Sequence, residues 1–187
     1  MSFDSAKVLA GVGALLAGIG IFGYVIPSII GLILFLVGMV ELANYFNDSR
    51  LKSDVMNWFI FGLIALIVLA IGVFLAVIPV TLSFSGMHVN YPMIPYHPYH
   101  PFLAGLLIIM VVVIITAVFF LLSAIYLRRA MSNMSSRTGE KLFESGGLIY
   151  LIGAVLTFII IGVLIILVAW IIIGVALLSI KEPGRNP

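Results

Sequence analysis

The sequence predicts an all-α fold, an integral membrane bundle of six transmembrane helices with its N and C termini cytoplasmic. Three observations predict it. Hydrophobic residues make up 64% of the 187 positions and charged residues 9%, with a mean hydropathy of +1.34, whereas a soluble domain carries about 25% charge. Two uncharged runs, residues 8–40 and 145–180, hold 33 and 36 residues. Each would measure about 50 Å or more as one helix against a hydrocarbon core of about 30 Å, so each must fold back on itself. Finally, a hairpin in each terminal run gathers all nine basic residues on one side: Lys7, Arg50, Lys52, Arg128, Arg129, Arg137, Lys141, Lys181 and Arg185. The positive-inside rule makes that side cytoplasmic. A five-helix chain would strand Lys181 and Arg185 outside, and a four-helix chain would contain two overlong spans.

Taken in order, the chain is expected to form a single transmembrane domain, residues 1–187, with helices at about 6–23, 27–45, 55–80, 102–127, 143–160 and 163–180. In the first run, Gly23 permits a left-handed stop and Pro27 suits the first turn of the next helix. The start of the chain is read as a span and not as a cleaved leader, because its apolar run continues well past any leader core and Asp4 weakens the basic start. Residues 46–54, FNDSRLKSD, form a charged connection with Asp48 and Ser53 as helix starters. Residues 128–147 form the second, expected to turn helical from Thr138 onward. In the last run Gly162 is the expected turn.

Between the third and fourth helices lies residues 81–101, TLSFSGMHVNYPMIPYHPYHP, a long break in the hydrophobic pattern without Lys, Arg, Asp or Glu. It is the expected extracytoplasmic loop. His88, His97 and His100, with Met87 and Met93, are imidazole and thioether donors of the kind that suit copper, but their spacing matches no strong metal pattern. The repeated Pro and Tyr favour an extended cap on the membrane surface, with Tyr91, Tyr96 and Tyr99 as interface anchors or a docking face for a partner.

Inside the helices ionisable chemistry is sparse. Glu41, with Asn44 beside it, is the transport candidate, since proton and ion pathways show as ionisable residues facing a bundle interior. The competing reading is an interfacial carboxylate that reaches water or pairs with Arg128 or Arg129. Gly11 and Gly18, Gly13 and Gly20, and Gly31 and Gly38 recur seven residues apart and predict close helix packing, above all in the first hairpin. Asn47-Asp48-Ser49-Arg50 is echoed by Asn133-Met134-Ser135-Ser136-Arg137, which raises an internal repeat as an option.

No nucleophilic triad, phosphate-binding Gly loop, zinc-protease motif or paired carboxylate is present, so the chain is expected to be no enzyme and to carry no cofactor. There is no Cys, which excludes disulfides and thiolate metal sites. Gln is absent too, a hint of a thermophilic source. The positive charge follows from topology and implies no nucleic-acid partner. The expected partners are the lipid bilayer of the cell membrane and other membrane subunits or a second copy.

Thr138-Gly139, Leu142-Phe143, residues 147–154 (GLIYLIGA), Gly162, Val168-Ala169-Trp170 and Ser179-Ile180-Lys181, with residues 43–48 (ANYFND) in the first half, resemble an uncharacterised family of small, mostly archaeal multi-pass membrane proteins. That resemblance implies an archaeal source and no catalytic residues. The residues themselves lead to an accessory or scaffolding subunit of a larger membrane assembly, with a small transporter or channel as the alternative and copper handling by the outer loop as the third.

Overall fold

In the computed structural model the described residues are 2–20, 25–84, 100–157 and 161–182. They form six helices: α1 (Phe3–Ile19), α2 (Val25–Tyr45), α3 (Ser49–Phe84), α4 (His100–Thr138), α5 (Leu142–Leu156) and α6 (Ile161–Ser179). Four of them, α2, α3, α4 and α6, are long and apolar enough to cross a bilayer. The other two are shorter: α1 has 17 residues and α5 has 15, about 25 and 22 Å of helix at the standard rise.

Several boundaries differ from the sequence expectation, each for a local reason. α1 starts at Phe3 because Ser2 is its N-cap: the hydroxyl accepts from the Ser5 N–H, and Asp4 complements the positive helix end. α3 starts at Ser49 instead of near residue 55, because Leu51, Val55 and Trp58 recur on one buried face and make the charged connection amphipathic. α4 likewise continues past Leu127. Its next turns bury Leu127, Ala130, Met131 and Met134, so residues 128–138 are helix and the break falls at Gly139. The helical part of this connection thus lies before Thr138 as well as after it. Gly162 lies in the first turn of α6 and not at a turn centre. A Cβ there would overlap the Leu156 and Thr157 backbone, so the glycine serves the close approach of α6 to the end of α5.

Contacts group the chain into two compact units. The first comprises Met1–Ile60 and Leu121–Pro187 and contains α1, α2, α5 and α6 with the adjoining ends of α3 and α4. In it α1 packs on α2 and on α6, and α5 packs on α6. The two faces of α1 use different glycines. Towards α2, side chains on Gly13, Gly31 or Gly38 would collide with the Phe35, Ala17 and Ala10 backbone respectively. Towards α6, Gly11 faces Leu178 and Gly174, and Gly18 faces Trp170. Such close backbone approach is the usual route to helix association where lipid supplies no hydrophobic drive. The Ser28 hydroxyl donates to the Ala17 carbonyl at 3.2 Å and ties the start of α2 to the end of α1.

The start of α1 and the end of α6 meet. Lys7 Nζ donates to the Ile180 carbonyl at 3.0 Å and pairs with Asp4 at 3.1 Å, while Phe3 packs on Tyr45 with ring centroids 5.0 Å apart. Tyr45 in turn donates to Glu182 at 3.3 Å. Both charged connections join this same end through Asp48 and Arg137.

Deeper in the first unit four aromatic rings from α2, α3, α5 and α6 converge. Phe35 lies 5.2 Å from Trp58 and 5.1 Å from Trp170, Trp58 lies 5.9 Å from Trp170, and Tyr150 lies 5.6 Å from Trp170, all edge-on. All four are buried, and edge-to-face geometry is the favoured arrangement of aromatic quadrupoles. Ser123 secures α4 to α3 beside them by donating to the Trp58 carbonyl at 2.8 Å.

The second unit is Phe61–Phe120, the remainder of α3 and α4. These two helices meet through small residues: Ala65 and Ala76 are buried, Gly72 is seated against Val112, and Phe61 stacks on Phe119 at 6.2 Å. The outward faces are apolar and open, with Leu66 65%, Phe74 69% and Leu107 58% exposed. Such surfaces suit hydrocarbon and would be costly in water.

Candidate functional site

A polar concavity in the first unit is built where α2 gives way to α3. α2 ends in a Schellman turn: the Asp48 N–H donates to the Ala43 carbonyl at 2.9 Å and the Asn47 N–H to the Asn44 carbonyl at 3.1 Å. Asn47 takes the left-handed conformation this requires, with φ of 50°. Asp48 then begins the next helix without a spacer. Its Oδ1 accepts from the Arg50 and Leu51 N–H groups at 3.0 and 2.9 Å, the geometry of an N-cap. Its Oδ2 accepts from Arg137 Nη2 at 2.9 Å. The Leu51 N–H bond, with further help from Asn133 and Arg137, holds the Asp48 carboxyl below the usual carboxylate range, and burial opposes this only in part.

Arg137 is positioned by the terminal segment of α4. There Arg129, Ser132, Asn133, Ser136 and Arg137 follow the spacing i, i+3, i+4, i+7, i+8, one polar stripe opposite the buried stripe of Leu127, Ala130, Met131 and Met134. α4 stops after Thr138 because Gly139 adopts φ of 73° and its N–H closes on the Ser135 carbonyl at 2.9 Å. α3 presents Arg50 and Asp54, one turn apart, to that stripe. Together with Asp48 these residues line a cavity of 770 Å³, within the range of small-molecule sites.

Charge is unevenly arranged within the cleft. Both carboxylates point inward, Asp48 and Asp54 each being 7% exposed, whereas Arg50, Arg129 and Arg137 reach the surface. Arg129 lies 5.5 Å from the centre of the Tyr126 ring, and Arg129 and Arg50 are the cations within electrostatic reach of Asp54. Three guanidinium groups against two buried carboxylates leave a positive face towards solvent.

The site residues expected from sequence lie elsewhere. Glu41 is half-buried in α2, and Asn44, exposed in the last turn of α2, accepts from Lys52 Nζ at 3.3 Å. Neither lines the cleft. Of the outer-loop candidates, His88, His97, Met87, Met93, Tyr91, Tyr96 and Tyr99 lie outside the described residues, and His100 opens α4. Among the described residues no group of three His, Cys, Asp or Glu side chains is placed to hold a metal. The echo between residues 47–50 and 133–137 does not correspond to equivalent structure, since Asn47 sits in a left-handed turn and Asn133 within α4. The two segments instead meet, as opposite walls of the cleft.

Sequence reasoning treated the cleft residues as charged connections. The signal that finds them is the helical spacing of the five polar residues in 129–137, visible once residues 128–138 are read as helix.

Comparison with known proteins agrees with a chain of this kind. It is similar to "Uncharacterized protein MJ1644" of the archaeon Methanocaldococcus jannaschii, with 27% identity over 189 residues that cover 100% of this chain and 97% of that protein. No solved structure matches it. The family described as "Protein of unknown function (DUF996)" matches residues 27–171, a span that takes in both walls of the cleft and the aromatic cluster, and the chain belongs to that family.

Proposed function

We propose that the protein is a six-span protein of the cell membrane, with both termini and both charged connections cytoplasmic, and that it serves as a non-catalytic accessory or scaffolding subunit. The start of α1, the end of α6 and both connections share one end of the first unit, which supports an even number of crossings, and the basic residues gathered there support its cytoplasmic orientation. Because the chain has no Cys, single cysteines are clean probes. Ser2→Cys and Ser136→Cys are expected to react with an impermeant maleimide only after cells are opened, and Ser85→Cys in intact cells; the reverse pattern inverts the topology.

One observation carries the scaffold reading: the converging rings of Phe35, Trp58, Tyr150 and Trp170 fill the middle of the first unit with close-packed aromatic carbon. A transport path through the first unit would meet this cluster. A close-packed core of this kind resists the two discrete arrangements that alternating access needs, and it suits a rigid support. The open apolar faces of the second unit supply area for lipid or neighbouring helices. The test is the mass of the protein extracted from its own membrane in mild detergent, with every co-migrating chain identified. Fixed, stoichiometric partners are expected. Migration as a lone chain, together with solute flux that is lost on Glu41→Gln, would replace this reading by the transporter.

A further inference from the structure

We infer that the cleft between the first turns of α3 and the terminal segment of α4 is a binding site for a phosphate-bearing anion, gripped by Arg50 and Arg129 with Arg137 alongside. Such a site does not depend on the subunit role proposed above.

The first reason is the direction of the charges. The oxygens of Asp48 are engaged by the Arg50 and Leu51 N–H groups and by Arg137, so this carboxylate is turned into the protein. Asp54 is equally buried and lines the same cleft. Arg50, Arg129 and Arg137 are exposed while both carboxylates are buried, so the solvent-accessible charge of the cleft is that of the guanidinium groups. The second reason is donor supply. A guanidinium offers five N–H groups. Arg137 commits only its Nη2 to Asp48, and among the described residues Arg50 and Arg129 make no direct ion pair. The Ser132 hydroxyl and the second amide N–H of Asn133, whose first serves Asp48, add neutral donors along the same wall, whereas the Ser136 hydroxyl is taken up by the Asn133 carbonyl at 2.7 Å.

The geometry also selects the class of anion. A planar carboxylate is satisfied by one guanidinium fork, and a halide has no directional acceptors to fill several. Forks arriving from two helices, with hydroxyl and amide donors between them, match the tetrahedral oxygens of a phosphate group. The cleft lies at the end of the first unit that carries the charged connections, so the phosphate can belong to a lipid headgroup or be free in solution.

The experiment uses the full chain purified in dodecyl maltoside, titrated calorimetrically at constant ionic strength with inorganic phosphate and, separately, with dioctanoyl phosphatidic acid, with dioctanoylglycerol as the phosphate-free control. The wild type is expected to bind at least one of the two phosphates and not the control. Binding of inorganic phosphate identifies a free anion as sufficient, and binding of phosphatidic acid alone identifies the headgroup. Arg50→Gln with Arg129→Gln should weaken binding by at least about ten-fold, the scale of one lost charged hydrogen bond. Arg128→Gln removes a neighbouring charge outside the lining and should leave affinity unchanged. Absence of phosphate binding by the wild type, wild-type affinity in the double variant, or equal weakening by Arg128→Gln would each overturn the assignment. Should the glutamine pair fail to fold, Arg50→Lys with Arg129→Lys keeps both charges but loses the forks. Several-fold weaker binding is then expected, and unchanged affinity overturns the assignment as well.

Discussion

Asp48 is where local structure and tertiary contact can be separated by two substitutions. Asp48→Ala removes the N-cap of α3 and the partner of Arg137 together. Loss of an Asp cap costs about 1–2 kcal/mol, and here the loss also leaves the N–H of fully buried Leu51 without its acceptor. The ion pair adds less. Arg137 is 49% exposed, and pairs open to solvent contribute about 0–1 kcal/mol. The expected cost of Asp48→Ala is therefore about 2–3 kcal/mol. Asp48→Asn keeps a competent cap through its one oxygen but loses the charge and the Oδ2 acceptor of the exposed Arg137, so it should cost about 1 kcal/mol. Both can be measured by titrating the micellar protein with dodecyl sulfate and following the emission of Trp58 and Trp170, which are buried in the same unit. The carboxyl of Asp48 is held below its unfolded value. Its ionised form is thus favoured by folding, and its contribution is complete above the unfolded pKa of about 3.9 and disappears as pH falls through the folded value. The gap between wild type and Asp48→Asn should accordingly stay constant from neutral pH down to about 5 and close in stronger acid. If Asp48→Asn proves as damaging as Asp48→Ala, the cap is not the larger part and the reasoning fails.

Two glycines test packing against backbone strain. Gly38→Ala puts a Cβ into the Ala10 backbone and should cost about 1–3 kcal/mol through overpacking of α1 on α2; a neutral result in the same titration would show that the hairpin can open. Gly139→Ala meets no atom within 4 Å, so its cost is the left-handed φ alone, about 1–2 kcal/mol, and Gly139→Asn should recover most of it; equal losses for Ala and Asn would contradict that account.

Helix number and the glycine-mediated hairpin were legible because both rest on strong one-dimensional signals. Run lengths exceed what one helix can use, and Gly13, Gly31 and Gly38 recur on faces that must meet. The ends of α3 and α4 were not legible for a physical reason. Charged residues in 49–54 and 128–138 read as connection when judged by hydropathy, but Asp48 supplies a cap and Leu51, Val55, Met131 and Met134 supply a buried face, so the helices continue through them. Gly162 was misplaced for a related reason. In sequence a glycine that permits a turn and one that permits close contact look the same. The cleft was missed because it belongs to neither connection alone: its walls are residues 48–54 and 129–137, far apart in the chain and joined through Asp48, which meets both Arg137 and Asn133.

That junction couples stability to the site. Asp48 closes the turn after α2, caps α3 and anchors Arg137, so the residue that shapes the wall of the cleft also holds together the two connections. Arg137 is correspondingly committed, while the side chains of Arg50 and Arg129 enter no cap or ion pair among the described residues. Substitutions at Arg50 and Arg129 should therefore move ligand affinity more than the unfolding midpoint, which they touch only through the buried Asp54 carboxylate, and substitution at Asp48 should move both. Each side chain can be assigned by that difference: a surface whose charges serve solubility alone would give no residue that changes affinity more than stability.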